Sequence, residues 1–296
     1  MKLLQSSRAT LAFLTVALLA ACGQSGNAAD RPLYFTAIPD DNTTELAAKF
    51  GPLAEHLSKE LGVPVEYVPT TSYSASVESF KNGDVELAWF GGLTGVQARA
   101  AVPGAKAIAQ GKVDPNYKSY FIAHKDTGVE KSESFPEVMR GRTFTFGSDL
   151  STSGRLMPEH FIRQNTGQEP SEFFGMPNNY SGSHDKTAKL VEAGTFEFGA
   201  LSYKAYDGMV AEGKLDPDLC RIIWETPPYA DYNWTVAASV EERFGAGFTE
   251  KIRAALIGIT DENLLEAMRR PEGLITAQDD DFASILELAT RLDFVR

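Results

Sequence analysis

Apolar residues recur along this chain in two rhythms, and the rhythms take turns. Residues 33–38 form a short apolar run that predicts a strand, and Pro39-Asp40-Asp41-Asn42 after it reads as a turn and helix cap. Leu46, Ala47, Phe50, Leu53, Ala54, Leu57 and Leu61 then fall at helical spacing, so residues 43–61 are expected to form an amphipathic helix ended by Gly62. Residues 63–68 return to strand, residues 76–80 begin a second helix closed by Asn82-Gly83-Asp84, and residues 85–90 form a strand running into Gly91-Gly92. A helix over 93–101 follows. The alternation resumes with a strand at 143–146, a polar loop at 148–153 and a helix at 154–164. Residues 196–201 and 221–224 read as strands, and 241–292 as mainly helical. Strands separated by helices imply parallel pairing in an α/β sheet, with any ligand beyond the carboxyl ends of the strands. Two such runs of similar size, without a long linker, predict two lobes with a cleft between them. The expected crossings lie near residues 114–120 and 225–234.

The first 30 residues break this pattern. Lys2 and Arg8 precede an uncharged apolar run over 11–21, too short to cross a bilayer, since a spanning helix needs about 20 apolar residues. Leu19-Ala20-Ala21-Cys22-Gly23 closes the run, and this resembles the cleavage box of bacterial lipoprotein signals. The resemblance implies that residues 1–21 are a removable signal peptide and that Cys22 carries lipid on the periplasmic side of a cell membrane. Residues 22–30, small and polar, would be the tether.

Composition then narrows the partners. Removing residues 1–21 takes away Lys2 and Arg8 and no acid, so the net charge moves from −12 to −14. So acidic a surface argues against nucleic acid or an anionic membrane face as partner. A small anion is still admissible, because backbone N–H groups at a helix start act locally. Once Cys22 is lipidated, Cys220 has no disulfide partner, and its neighbours Leu219, Ile222 and Ile223 mark it as a buried apolar residue.

Three groups of residues could hold a ligand. Asp149-Leu150-Ser151-Thr152-Ser153-Gly154 follows a strand and opens a helix, so hydroxyls and free N–H groups converge at a positive helix end. An oxyanion seat and a plain N-cap both fit it. His184, in Ser181-Gly182-Ser183-His184-Asp185-Lys186-Thr187, precedes an amphipathic stretch; it suits an anion donor or a hydrogen-bonded surface histidine. The third group is aromatic: Tyr73, Trp89 and Phe90 near strand ends, Tyr117 at the first crossing, and Tyr229, Tyr232 and Trp234 beside Asp231 at the second. Taken singly, each of these is more often packing than contact. The sequence has no nucleophile elbow, Walker loop, HExxH or CxxC. Its histidines, His56, His124, His160 and His184, show no metal-ligand spacing. No enzyme activity, metal or cofactor is expected.

Gly83-Asp84-Val85-Glu86-Leu87-Ala88-Trp89-Phe90-Gly91, Ser151-Thr152-Ser153-Gly154 and Gly182-Ser183-His184 together resemble the periplasmic phosphonate/phosphite-binding proteins of ABC importers. Residues 90–99 and 224–227 are similar to a subgroup described as selenate-type. The resemblance runs from about Leu33 to the last helices. It implies an α/β, two-lobed type II periplasmic binding protein with two hinge crossovers. One lobe would be residues 31–116 plus 225–296, the other 117–224. The implied cleft has Tyr73 and Tyr117 as phenol donors, Ser151, Thr152 and Ser153 around the oxyanion, His184 as a donor, and Asp231 as an acceptor. Implied partners are a small oxyanion and a membrane permease with a separate ATPase; the chain itself would be a monomer, held to the membrane through its lipid alone.

Two departures bear on the ligand. Arg155 stands where phosphonate binders are usually apolar, and Lys186 follows the His-Asp pair; both add charge that would suit a dianion, or else face solvent. Asp231 pulls the other way, since a carboxylate repels a fully ionised anion in a dry site. Phosphonate, phosphite and phosphate therefore lead, with selenate, sulfate and sulfonate as the alternative and a ligand-sensing role as another.

Overall fold

Asn42 accepts from the backbone N–H groups of Thr44 and Glu45, and Gly62 ends the same helix in the left-handed conformation that a residue with Cβ rarely adopts. The signals at 39–42 and 62 therefore act where the pattern places them. The computed structural model describes residues 31–295; the signal peptide, Cys22 and the tether lie outside the described residues.

The first part of the chain runs β1 (Leu33–Ala37), α1 (Thr43–Leu61), β2 (Val65–Tyr67), α2 (Tyr73–Lys81), β3 (Leu87–Phe90), α3 (Gly92–Ala101) and β4 (Lys106–Gly111). The middle part runs β5 (Ser119–His124), β6 (Phe144–Phe146), α4 (Met157–Thr166), α5 (Pro170–Phe174), β7 (Asn179–Tyr180), α6 (His184–Glu192), β8 (Phe198–Ser202), α7 (Tyr203–Ala211) and β9 (Cys220–Glu225). The return adds β10 (Asn233–Val236), α8 (Ser239–Phe244), α9 (Phe248–Ile257), α10 (Glu262–Glu266), β11 (Leu274–Thr276) and α11 (Ala283–Arg291).

These strands form two sheets, ordered β11-β4-β10-β3-β1-β2 and β7-β6-β8-β5-β9. Each is the centre of one lobe. Parallel pairing holds where helices separate the strands, at β1–β2, β1–β3, β6–β7 and β6–β8. Elsewhere the all-parallel expectation fails: β10 lies antiparallel between β3 and β4, β11 is antiparallel to β4, and β5 is antiparallel to β8 and β9. The reason is the path. A chain that leaves one sheet and re-enters it from the other lobe arrives pointing the opposite way, and β10 is that re-entry. Strands β4, β10 and β11 escape the pattern because Gly, Gln and Thr interrupt their apolar runs.

The two crossings lie side by side. Tyr117 and Tyr229 form an antiparallel bridge, each N–H donating to the other's carbonyl at 2.8 and 3.0 Å. The Asp231 N–H donates to Asp114 O at 3.1 Å.

Candidate functional site

Helix starts from both lobes meet at this double crossing. Tyr73 opens α2 behind the Ser72 cap, Gly92 opens α3, His184 opens α6, and Ser202 caps α7. The Ser151–Gly154 loop opens a π turn (Thr152–Leu156) instead of the regular helix expected there. Such wide turns are frequent at functional sites. Each helix start brings unsatisfied N–H groups and the positive end of a dipole. An acidic protein can thus build a locally positive cleft.

The second lobe supplies the loop. Ser151 Oγ accepts from Gly154 N–H at 2.9 Å, the ordinary capping bond. Thr152 Oγ1 crosses the cleft and accepts from Leu93 N–H at 2.9 Å, at the start of α3. Ser153 O accepts from Ser119 Oγ at 2.7 Å. Gly154 is the residue that lets these parts close up, since a Cβ there would sit 3.1 Å from Gly147 Cα and 3.2 Å from His184 Cε1.

His184 is 1 % exposed. Its Nδ1 accepts from Ser202 N–H at 3.3 Å, which leaves the ring proton of the neutral form on Nε2. That Nε2 lies 3.4 Å from Tyr232 Oη, which donates to Asp40 Oδ2 at 2.8 Å. Burial, with Arg269 second, pushes the imidazole down to about 3, so His184 is a neutral N–H donor.

Asp231 is also 1 % exposed. Oδ1 accepts from Gly92 N–H at 2.9 Å, at the positive end of α3. Among the described residues, no hydrogen-bond partner reaches the buried Oδ2 or the buried Tyr73 hydroxyl. Burial raises the Asp231 carboxyl to about 7, against the opposing pull of the Gly92 N–H and the Thr152 hydroxyl. Burial also raises the Tyr73 phenol well above its usual value. Neighbouring carboxylates have guanidinium partners: Asp114 bonds Arg270 (Oδ1–Nη2 2.6 Å), and Asp40 and Asp41 face Arg269. Asp231 makes no ion pair among the described residues.

Aromatic rings wall the site. Trp89 stacks on Tyr232 at 5.4 Å between centroids, and Tyr117 lies 5.3 Å from Tyr232. The Tyr117 hydroxyl bonds Ser202 Oγ at 2.5 Å. Beneath these rings lies Arg270, with its guanidinium 4.7 Å from Tyr232, 5.1 Å from Tyr117 and 5.5 Å from Trp89.

The structure thus brings together Tyr73, Trp89, Tyr117, Ser151, Thr152, Ser153, His184 and Asp231. Phe90 is a correction: strand alternation turns its ring to the opposite face, into the core against Phe80 at 5.7 Å. Arg155 is another, being buried against Glu159 and aromatic rings instead of facing the anion loop or solvent. Lys186 lines the outer mouth of the cleft with Asp41, Asp149 and Asp185. Sequence reasoning misses Asp40, Ser202, Arg269 and Arg270. Arg269 and Arg270 are adjacent charges in the sequence, and the half-burial of the first and full burial of the second follow only from tertiary packing.

The family model for the periplasmic phosphonate substrate-binding proteins of ABC transporters matches residues 35–282. This chain belongs to that family. It is 36% identical over 267 residues to a probable ABC transporter phosphite binding protein, PhnD1, of Prochlorococcus marinus, covering 88% of this chain and 89% of that one. It is 31% identical over 245 residues to the phosphate-import protein PhnD of Mycolicibacterium smegmatis, covering 76% and 75%. The crystal structure of Prochlorococcus PhnD1 in complex with methylphosphonate superposes with a TM-score of 0.84 at 35% identity, over 90% of this chain and 100% of that one. The chain is a substrate-binding component of a transporter, and not an enzyme.

Proposed function

We propose that this cleft captures a small tetrahedral phosphorus oxyanion that keeps one proton, of the phosphite, methylphosphonate or phosphate type. The observation that carries this is Asp231 Oδ2, a buried acceptor with no hydrogen-bond partner and no ion pair among the described residues. One proton shared between Oδ2 and a ligand oxygen turns a repulsion into a charge-assisted hydrogen bond. A fully ionised sulfate or selenate brings no such proton and is repelled once Asp231 is ionised, above about pH 7. His184 Nε2–H, the Tyr73 hydroxyl and the Ser151–Ser153 loop donate to the remaining oxygens, while Trp89, Tyr117 and Tyr232 enclose the apolar or P–H side. Phosphite and phosphate, which the two relatives' names carry, and methylphosphonate, the ligand in the PhnD1 crystal structure, all fit that description.

Capture proceeds by closure. Thr152 from one lobe, Leu93 from the other, and the anion between them hold the lobes together, with residues 114–120 and 225–234 as hinges. The closed monomer then docks on a permease driven by a separate ATPase. Lipid on Cys22 keeps the carrier near that permease and raises its effective concentration.

Calorimetric titration with phosphite, methylphosphonate, phosphate, sulfate and selenate tests the reading. At least one of the first three is expected to bind about a hundredfold tighter than sulfate or selenate, or better. Equal or tighter binding of selenate would overturn it.

A further inference from the structure

Arg155 takes no part in the anion site described above, yet it sits in the middle of the turn that carries Ser151 and Thr152. That turn is tied by Leu156 N–H to Ser151 O at 2.9 Å, so holding Arg155 holds the loop. The side chain is only 8 % exposed. Its Nε donates to Tyr180 Oη at 2.9 Å, and it forms an ion pair with buried Glu159. Three rings surround the guanidinium: Phe146 at 4.9 Å, Tyr180 at 5.5 Å and Phe294 at 5.6 Å. Phe146 and Tyr180 belong to the same lobe as Arg155. Phe294 comes from the other lobe, past the end of α11.

The chain end is aimed there by its backbone. Asp293 adopts a left-handed φ of 59°, its N–H donates to Thr290 O at 3.2 Å, and Phe294 N–H donates to Ala289 O at 2.8 Å. This is the paired capping pattern that ends many helices and fixes the exit direction. Gln97 Nε2 on α3 then donates to Phe294 O at 2.9 Å. Leu93, one turn earlier on the same face of α3, donates to Thr152. One helix therefore holds both the anion loop and the tail that rests on Arg155. Leu150 of the second lobe and Phe294 and Val295 of the first line one cavity of about 280 Å³.

We propose that Arg155 and Phe294 are positioning residues for anion capture. On closure the C-terminal residues seat on the Arg155 guanidinium and clamp the turn that presents Ser151 and Thr152. The clamp forms only when the lobes meet, so it slows ligand release and leaves ligand entry to the open form alone. An aromatic ring at 294 is required because the contact is between a π face and a cation. This rests on the reading of the cleft given under Proposed function.

Stopped-flow tryptophan fluorescence of the full chain with methylphosphonate, phosphite and phosphate separates the rates. F294L and a chain ending at Asp293 are expected to release ligand about three- to tenfold faster. Their association rates and ligand-free melting temperatures stay at wild type. F294Y, which keeps the ring, restores slow release. Unchanged release in F294L and in the truncated chain would overturn the clamp, as would equal loss in F294L and F294Y. If the wild type binds none of the three anions, the functional reading falls first and takes the clamp with it.

Discussion

Replacing Asp231 with asparagine isolates the proton on which ligand choice turns. Burial raises this carboxyl to about 7 from an ordinary 3.8. At about 1.4 kcal/mol per pH unit, that is about 4 kcal/mol of preference for the protonated form. Because the value is raised, this carboxyl's contribution to the stability of the folded chain is fully present below about pH 4 and is lost as pH rises through about 7. A ligand that brings one proton offsets the loss. Above neutrality neither Asp231 nor the free anion holds that proton, so affinity falls about tenfold for each pH unit, or roughly a hundredfold between about pH 7 and 9. Once Asp231 is ionised, above about pH 7, an anion with no proton meets its charge directly, and two unit charges about 4 Å apart repel by about 4 kcal/mol at an effective dielectric of about 20, roughly a thousandfold in affinity. The side-chain amide of D231N keeps an oxygen for Gly92 N–H and places an N–H where Oδ2 stood. D231N should therefore bind methylphosphonate without the tenfold-per-unit fall above neutrality and gain affinity for sulfate. Calorimetry from about pH 6 to about pH 9, in buffers of different ionisation enthalpy, counts the protons directly. A D231N profile as steep as the wild type's would refute the reasoning.

Two further outcomes follow from the same geometry. S151A removes a loop hydroxyl and the Gly154 cap, and H184A removes the Nε2–H donor; each should weaken methylphosphonate binding about tenfold or more by calorimetry, with wild-type affinity in either removing that residue from the site. Burial pushes the Cys220 thiol up to about 12, so the folded chain should resist alkylation there until it unfolds; ready alkylation of the native chain would contradict this. Fatty-acid labelling in cells should instead follow Cys22 and vanish in C22S, and label retained in C22S would refute the lipid assignment.

How much of this is legible in the sequence depends on the range of the forces involved. Helix α1 is readable from end to end, because its apolar spacing, its Asn42 cap and its Gly62 stop are local. The Ser151–Gly154 loop is readable as a hydroxyl-rich, capped helix opening for the same reason, although its π turn is not. Trp89 and Phe90 are adjacent and look alike in sequence, and only the pleat of β3 against its neighbours shows that one faces the site and the other the core. The place of β10 depends on where the chain re-enters the first sheet, which no window of residues encodes. Arg270 is the plainest limit. It looks like surface charge in sequence, and it is 1 % exposed because Asp114, 156 residues earlier, folds against it.

The most direct test of the account is a crystal structure of the chain with methylphosphonate. It should show the phosphorus group between the lobes, with oxygens in hydrogen-bond reach of Tyr73 Oη, His184 Nε2 and the Ser151–Ser153 loop, and one oxygen on Asp231 Oδ2. A ligand bound elsewhere, or one seated in the cleft with Asp231 turned away from it, would contradict the central claim.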